Sequence, residues 1–370
     1  MDTEALTILR KEIDLLDGAL LDLLQKRAYL SKQVAKAKQG GTIFYPLREK
    51  EIVAKLQELN LSAAGEEKKQ VLPSESIRHI WTEIFSCSRS LQQKTSLAFL
   101  GPAGTFSHFA GLELMGKSLN FVPCHDFNAI FAKVHAGEVR YGLVPLENSL
   151  QGTVGQCLDL FEEYPVSIVA EHYSGICQCL LSKQQDMRRI EVIYSHPQAL
   201  MQSHEFLRTH CPNARLVEMS STAEAAKRAV TEENAATVGH EGLAELCGEN
   251  VPFHVLAKDI AGSKENITRF ALIAKDQNSG VFRKPKTSFT FTVVDKAGAL
   301  SQVLQILHKA DINLSKLESR PSYHAVPGSA WQYRFFADAQ ADLREKPELT
   351  LALKEFCYDI RILGVYENLL

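Results

Sequence analysis

The chain begins with one long amphipathic stretch, LTILRKEIDLLDGALLDLLQKRAYLSKQVAKAK at residues 6–38. Its apolar residues return in alternating steps of three and four, which is the spacing of one helix face. The positions on this face are Leu6, Leu9, Ile13, Leu16, Leu20, Leu23, Arg27, Leu30, Val34 and Ala37. No proline interrupts residues 1–38, so the pattern predicts a single helix.

Arg27 is the charged exception on this apolar seam. A guanidinium keeps its proton, so it either reaches the solvent edge, pairs with a carboxylate elsewhere, or binds an anionic ligand. Lys38 lies three turns further along the same side, which favours the ligand. Arg10 lies 17 residues before Arg27, about 25 Å along the axis. An antiparallel second copy of the helix would remove that distance, so we expect a pocket for a small dianion in a homodimer or higher homo-oligomer.

More polar residues follow in an order that resembles a known active site. The series, which is similar to that of the all-helical chorismate mutases, consists of Arg10, Arg27, Lys38, Arg48, Glu49, Ser88 and Gln92. The last two lie near the end of a predicted helix at residues 76–93. The resemblance covers about residues 1–93 and implies a catalytic site shared by two chains. Tyr45 stands where that family often has an acid, which leaves the contact with the substrate hydroxyl to Glu49.

Length and charge exclude several classes of protein. A chain of 370 residues predicts two or three domains. A net charge of -3 with 23% charged residues provides no basic footprint for nucleic acid. The apolar runs are too short for a membrane span and the acidic N-terminus is unlike a signal peptide, so we expect a cytoplasmic protein. Cys177 and Cys179 have the wrong spacing for a zinc site and would share one strand face, so we expect neither metal, cofactor nor structural disulfide.

Composition changes divide the rest of the chain. Polar interruptions lie at residues 62–75, inside the first domain, and at 275–286. Between them short apolar runs alternate with loops and helices, as in an α/β domain. The predicted strands are residues 97–100, 141–144, 166–170, 192–194, 214–218, 235–238 and 270–274. We therefore predict domains at residues 1–93, 94–275 and 286–370.

Polar residues of the α/β region cluster where its strands end, which is where open α/β sheets bind ligands. The loop at 101–107 would present backbone N–H groups to an anion, although it lacks the lysine of a nucleotide-binding loop. Residues 195–198 offer an N-cap serine and a proline suited to a first helical turn. Ser221 and Glu224 have capping-box spacing, for which a structural role is the better interpretation.

The order of these motifs resembles the prephenate dehydratases. In that family two α/β lobes, similar to a periplasmic binding protein, enclose the substrate. The resemblance implies that Asn148, Gln202 and Thr268 act on prephenate and its leaving hydroxyl, with a water relay or His196 as the alternative proton donor. It also implies that Arg269 takes a carboxylate. The other substrate-binding residues that it implies are Ser107, Glu147, Ser149, Ser195, His196, Gln198 and Phe270.

The last segment has a readable order of elements. The predicted order is βαββαβ, which is that of a ferredoxin-like sandwich. The elements are a strand at 287–294, a helix at 298–309, strands at 314–319 and 331–337, a helix at 347–356 and a strand at 360–366. The segment resembles the regulatory ACT domain, with Ser301 where a valine is common. The resemblance implies L-phenylalanine as effector, bound by Gly298, Ala299, Leu300, Asn313, Leu314, Glu318, Ser319, Arg320 and Pro321. A purely structural dimerisation domain is the alternative.

Taken together, the chain resembles the bifunctional chorismate mutase and prephenate dehydratase family. The fold class is therefore multi-domain: an all-α domain, a two-lobed α/β domain and a βαββαβ domain. The resemblance implies rearrangement of chorismate to prephenate, conversion of prephenate to phenylpyruvate, and feedback inhibition by L-phenylalanine. Two alternatives remain open: a binding protein that only senses a ligand, and a dehydratase that prefers arogenate.

Overall fold

A computed structural model describes residues 3–37, 44–62, 72–248, 251–262, 265–277, 280–321 and 332–369. The chain folds into two compact units. One comprises Met1–Thr95 with Met115–Asn120, and the other comprises Ser96–Leu114 with Phe121–Leu370.

The first unit is helical. Its helices are α1 (Thr3–Ala37), α2 (Pro46–Ser62) and α3 (Ser74–Gln92). The long first helix predicted from the apolar seam is confirmed over the described residues, and Lys38 lies outside them. The seam is not covered within the chain, because Leu16 and Leu23 remain 69% and 61% exposed. Among the described residues, no helix combines the length and the hydropathy that a membrane crossing requires.

The second unit begins with a two-lobed α/β part. The first lobe contains β1 (Ser96–Leu100), α4 (Phe106–Met115), β2 (Asn120–Cys124), α5 (Phe127–Ala136), β3 (Tyr141–Asn148), β4 (Gly152–Thr153), α6 (Gly155–Glu163), β5 (Ser167–Gly175) and the later β11 (Ile267–Ala274). The second contains β6 (Cys179–Ser182), β7 (Val192–Ser195), α7 (Pro197–His210), β8 (Arg215–Glu218), α8 (Thr222–Thr231), β9 (Ala235–Gly239), α9 (Leu243–Cys247) and β10 (His254–Ala257).

The two lobes have separate sheets joined by two crossings of the chain. The first sheet has the order β2-β1-β3-β11-β5, with β4 on β3, and the second has the order β10-β6-β9-β7-β8. The chain crosses from β5 to β6 and returns from β10 to β11. All seven predicted strands of this region are present. Strands β2, β4 and β10 were missed because they are short and carry few buried apolar residues.

The C-terminal segment of the second unit has the predicted βαββαβ order. Its elements are β12 (Pro285–Val293), α10 (Ala299–Lys309), β13 (Leu314–Pro321), β14 (Tyr333–Ala339), α11 (Pro347–Lys354) and β15 (Cys357–Glu367). They form an antiparallel sheet of order β13-β14-β12-β15. Trp331, with which the predicted third strand began, lies outside the described residues.

The C-terminal sheet packs on the first lobe and shares its core. Phe336, Leu363 and Tyr366 belong to the same apolar cluster as Ile168 of β5. Gly364 is required by this contact, since a Cβ there would lie 2.0 Å from the Ile168 carbonyl oxygen. The C-terminal sheet is therefore in direct contact with β5 of the first lobe.

Candidate active sites

A pocket of about 280 Å³ lies at the junction of the three helices of the helical unit. Five of the predicted residues line it: Arg27, Arg48, Glu49, Ser88 and Gln92. Arg27 is half-buried and donates a hydrogen bond to the Ser88 hydroxyl. Burial lowers the pKa of Arg27, while the nearby Glu49 opposes that effect. The guanidinium also lies over the Phe85 ring, 5.4 Å from its centroid. Arg27 thus faces a ligand-sized cavity.

Arg89 is a residue of this pocket that the sequence analysis missed. It forms an ion pair with Glu49 and donates a hydrogen bond of 2.7 Å to the Met115 carbonyl oxygen. Burial raises the pKa of the Glu49 carboxyl, against the opposing charge of Arg89. The pairing of these two residues, 40 positions apart, has no local sequence signal.

Arg10 is absent from the lining of this pocket. It is exposed on α1, about 25 Å along the helix from Arg27 by the helical rise. Lys38 lies outside the described residues. The described part of a single chain therefore brings only part of the predicted cationic series, Arg27 and Arg48, to this pocket.

A second pocket, which we call the cleft, lies between the two α/β lobes and measures about 330 Å³. It brings together residues from both sheets and from both crossings. The predicted residues that line it are Ser107, Asn148, His196, Gln198, Gln202, Thr268 and Phe270. Gln178 and Asn266, which sequence reasoning did not assign, line it as well.

A chain of neutral hydrogen bonds runs along the cleft wall. Asn148 Nδ2 donates to Thr268 Oγ1 at 2.9 Å and to Asn266 Oδ1 at 2.7 Å. Asn148 Oδ1 accepts from the backbone N–H groups of Leu150 and Gln151 at 3.0 and 3.1 Å. These backbone donors fix the orientation of the amide. Because Thr268 Oγ1 is an acceptor here, its own hydrogen is available to a ligand in the cleft.

The far end of the same chain of bonds is Gln202. Its Oε1 accepts from Gln178 Nε2 at 3.1 Å and from Asn266 Nδ2 at 3.4 Å. Asn148, Thr268, Asn266 and Gln178 are all buried. The network therefore holds buried amides in fixed positions at a wall of the cleft.

Three helix N-termini meet at the cleft. Lining residues include Phe106 and Ser107 of α4, Gln198 of α7, and Thr222 of α8. No aspartate, glutamate, lysine or arginine of the described ranges lines it. Helix N-termini favour anions through their free N–H groups and dipoles. This neutral cleft is consequently suited to bind carboxylates without an arginine or lysine.

Four predicted substrate-binding residues lie elsewhere. Arg269 is buried and pairs with Glu171 and Asp338 on the side of β11 away from the cleft, so its assignment to a substrate carboxylate is wrong. Glu147 Oε2 lies 2.7 Å from Lys316 Nζ.

The two remaining corrections concern serines. Ser149 Oγ donates to the Glu265 carbonyl oxygen at 2.6 Å and accepts from Ile267 N–H at 3.0 Å. Ser195 is fully buried and donates to the Val238 carbonyl oxygen at 2.6 Å, so it joins β7 to β9. The N-cap of α7 is His196 instead.

A third pocket, which we call the C-terminal pocket, measures about 460 Å³ and lies at the start of α10. Gly298, Ala299, Leu300 and Ser319 of the predicted effector set line it. Gly298 has a φ of +82°, which only glycine adopts without strain, and the space around it is open. The backbone conformation therefore accounts for a glycine at this position.

The other predicted effector residues lie outside the C-terminal pocket: Asn313, Leu314, Glu318, Arg320 and Pro321. Arg320 pairs with Asp159 through contacts of 3.1 and 2.6 Å. Asn313 Nδ2 donates to Gln340 Oε1 at 3.0 Å. The charges on the pocket wall are those of Asp295 and Lys296, which the sequence analysis missed.

Comparison with known proteins agrees with this division into sites. Residues 9–93 match the family model "Chorismate mutase type II", and residues 97–278 match "Prephenate dehydratase". The bifunctional chorismate mutase/prephenate dehydratase of Aquifex aeolicus is 37% identical over 372 residues, which cover 99% of both chains. That of Stutzerimonas stutzeri is 34% identical over 376 residues, covering 99% of this chain and 98% of its own.

A solved structure is also similar to a large part of this chain. The prephenate dehydratase of Arthrobacter aurescens in complex with L-Phe is 28% identical, with a TM-score of 0.65. The match covers 74% of this chain and 90% of that one.

Proposed function

The chain belongs to the family of bifunctional chorismate mutase/prephenate dehydratases, and from its two pockets we propose a specific role for each catalytic residue. The helical unit rearranges chorismate to prephenate. The cleft converts prephenate to phenylpyruvate, water and CO2. The C-terminal pocket binds L-phenylalanine. A cytoplasmic location stays a prediction from the sequence.

The mutase step is assigned to the pocket of the helical unit. A pericyclic rearrangement requires no nucleophile, only a dianion held in a compact conformer and charge stabilised on the breaking ether oxygen. Arg27 and Arg48 offer cations, and Gln92 offers a neutral donor. Glu49, held by Arg89, is placed to contact the substrate hydroxyl. These roles use residue types that suit a dicarboxylate.

A second chain completes this pocket in our proposal. The apolar seam of α1 is exposed along its length, which a lone chain would leave in water. Pairing of two antiparallel α1 helices would cover the seam and bring Arg10 of one chain near the Arg27 pocket of the other. We therefore infer a homodimer, or a larger assembly built on it, with two shared mutase sites.

The dehydratase step is assigned to Asn148 and Thr268. Their hydrogen bond at the buried wall of the cleft is the observation that carries this assignment. Thr268 donates its proton to the leaving hydroxyl as CO2 departs, and aromatisation of the ring supplies driving force. The Asn148 amide then stabilises the charge that develops on Thr268 Oγ1. A threonine is a weak acid, and this preorganised donor explains how it suffices.

The substrate carboxylates bind at helix N-termini in this proposal. Arg269 is already paired with two carboxylates, so it has no position from which to reach the cleft. The N-termini of α4, α7 and α8 face the cleft instead, and Ser107 and Gln198 lie among them. Binding by backbone N–H groups leaves no mobile cation beside the carboxylate that leaves as CO2.

The C-terminal segment acts as an ACT-type regulatory domain in this proposal. Asp295 and Lys296 lie beside the N-terminus of α10, which suits the ammonium and carboxylate of a free amino acid. The relative from Arthrobacter aurescens was solved with L-Phe, and the pocket here has room for an aromatic side chain. A purely structural domain would leave this charged pocket without a role.

Purified protein given chorismate provides the direct test. Prephenate should rise first and phenylpyruvate should follow, which would separate both activities in time. A binding protein would release no CO2 from added prephenate. Parallel assays with arogenate distinguish the substrate, because the two compounds differ at an amino group. Absence of phenylpyruvate from added prephenate would refute the dehydratase assignment.

A further inference from the structure

Four buried charges join the C-terminal segment to the strand that carries Thr268. Arg269 Nε lies 2.9 Å from Glu171 Oε2, and Arg269 Nη1 lies 2.6 Å from Asp338 Oδ2. Lys286 Nζ lies 3.1 Å from Glu171 Oε1 and 3.8 Å from Asp338 Oδ2. All four side chains are at most 7% exposed. Two cations thus balance two anions in a place that water does not reach.

Hydroxyl groups complete this cluster. Tyr366 OH accepts from Arg269 Nη2 at 3.1 Å and lies 2.6 Å from Ser288 Oγ, which in turn bonds Asp338. Burial by itself would lower the pKa of Arg269, but Tyr366, Asp338 and Glu171 raise it overall. The guanidinium is therefore fixed as a cation by partners from two strands of the C-terminal sheet, β14 and β15, and from β5 of the first lobe.

The cluster lies directly behind the reacting pair. Thr268 pairs with Asn148 in the β11–β3 ladder, and Arg269 pairs with Glu147 on the next rung. Neighbouring strand residues point to opposite faces, so the first rung faces the cleft and the second faces the C-terminal sheet. Lys316 of β13 holds Glu147, and Asp338 of β14 holds Arg269. Ion pairs with the C-terminal sheet thus hold both β3 and β11, the strands that carry Asn148 and Thr268.

We propose that Arg269 is a positioning residue for Thr268, and that its pairing with Asp338 makes the C-terminal segment part of the dehydratase active site. The inference rests on the proposed dehydratase reaction. The fork of Arg269 spans Glu171 of its own lobe and Asp338 of the C-terminal sheet, which fixes the backbone of β11 beside Thr268. A small displacement of a proton donor lowers the rate of reaction much more than it lowers binding.

Position and binding make different kinetic predictions. A residue that binds a substrate carboxylate raises KM when it is removed, whereas a residue that places the proton donor lowers kcat. Arg269→Lys keeps the charge but reaches one carboxylate in place of two. Arg269→Met removes the charge and leaves two anions to share Lys286. Asp338→Asn removes only the partner in the C-terminal sheet.

The experiment measures kcat and KM for prephenate in the full-length variants. We expect kcat to fall about tenfold in Arg269→Lys and Asp338→Asn and further in Arg269→Met, with KM within about twofold of wild type. At position 269, kcat should therefore decrease from arginine to lysine to methionine. The conservative lysine variant should keep part of the activity that the methionine variant loses. The matched control is Asp159→Asn, which breaks the Arg320 pair between the same two segments. Asp159 belongs to α6 and Arg320 to β13, not to β3 or β11, so kcat of this control should be unchanged.

Near-ultraviolet circular dichroism and urea unfolding of the same samples report whether each variant is folded, because mutase activity reports only on the helical unit. If Arg269→Met fails to fold, the two milder variants decide. A rise of KM with unchanged kcat would indicate that Arg269 binds the substrate. Wild-type kcat in the folded Arg269→Lys and Asp338→Asn variants would show that the charge cluster is purely structural. Either result overturns the inference. Wild-type protein that makes no phenylpyruvate would instead refute the proposed function itself.

Discussion

Mixing two inactive chains should restore about a quarter of the wild-type mutase activity. Arg27 lines the pocket of its own chain, whereas Arg10 of that chain does not. In a shared site, Arg10→Ala and Arg27→Ala each inactivate both sites of a homodimer. In a hybrid dimer one site has both arginines and the other has neither. Random exchange makes about half of the dimers hybrids, and half of their sites are intact, which gives about a quarter.

The assay follows loss of chorismate after the two chains are mixed, with dehydratase activity on added prephenate as the internal standard for the amount of protein. Exchange is verified by differently tagged chains that co-purify. The control mixes Arg27→Ala with Ser88→Ala, since both residues line the same pocket and no hybrid site is intact. Demonstrated exchange without recovery would show that Arg10 does not act across the dimer.

The other predictions concern the second unit. Thr268→Val should lower kcat on prephenate by a factor on the order of 10² because the hydroxyl that donates the proton is lost, whereas Thr268→Ser retains a hydroxyl and most of the activity. A normal kcat in Thr268→Val would indicate that His196 or water donates the proton. Asp295→Asn should weaken L-phenylalanine binding about tenfold in calorimetry, since a charge-assisted bond is lost; equal weakening by Asn313→Ala, outside the pocket, would argue against that site. Burial opposes ionisation of Asp338, yet Arg269 and Lys286 hold its pKa below the usual value. The stability that this lowered pKa adds is present above about pH 4 and is lost as the pH falls through the lower pKa of the folded state. In urea unfolding, the free energy of unfolding should therefore decrease less steeply with falling pH in Asp338→Asn than in wild type. The same pH dependence in both proteins would contradict the prediction.

Much of the fold followed from periodicity. The seam of α1, the seven strands and the βαββαβ order each depend on spacing along one element, which a sequence displays directly. Most of the candidate residues of the dehydratase site line the cleft, because strand ends of an α/β sheet gather at one edge. The errors came from treating consecutive motif residues as members of one site. Thr268 faces the cleft and Arg269 does not; Ser319 faces the C-terminal pocket and Arg320 does not. The two-residue period of a strand separates each pair.

The sequence by itself thus determined most of the helices and strands and the residue types that can perform the two reactions, since these depend on local spacing and on side-chain chemistry. Only the tertiary structure decided which face of each strand meets a ligand and which partner each buried charge finds. Glu49 pairs with Arg89 across 40 residues and Arg269 with Asp338 across 69. Such pairs are chosen by the packing of distant elements, because a buried charge must find its counter-ion wherever the fold brings one within reach.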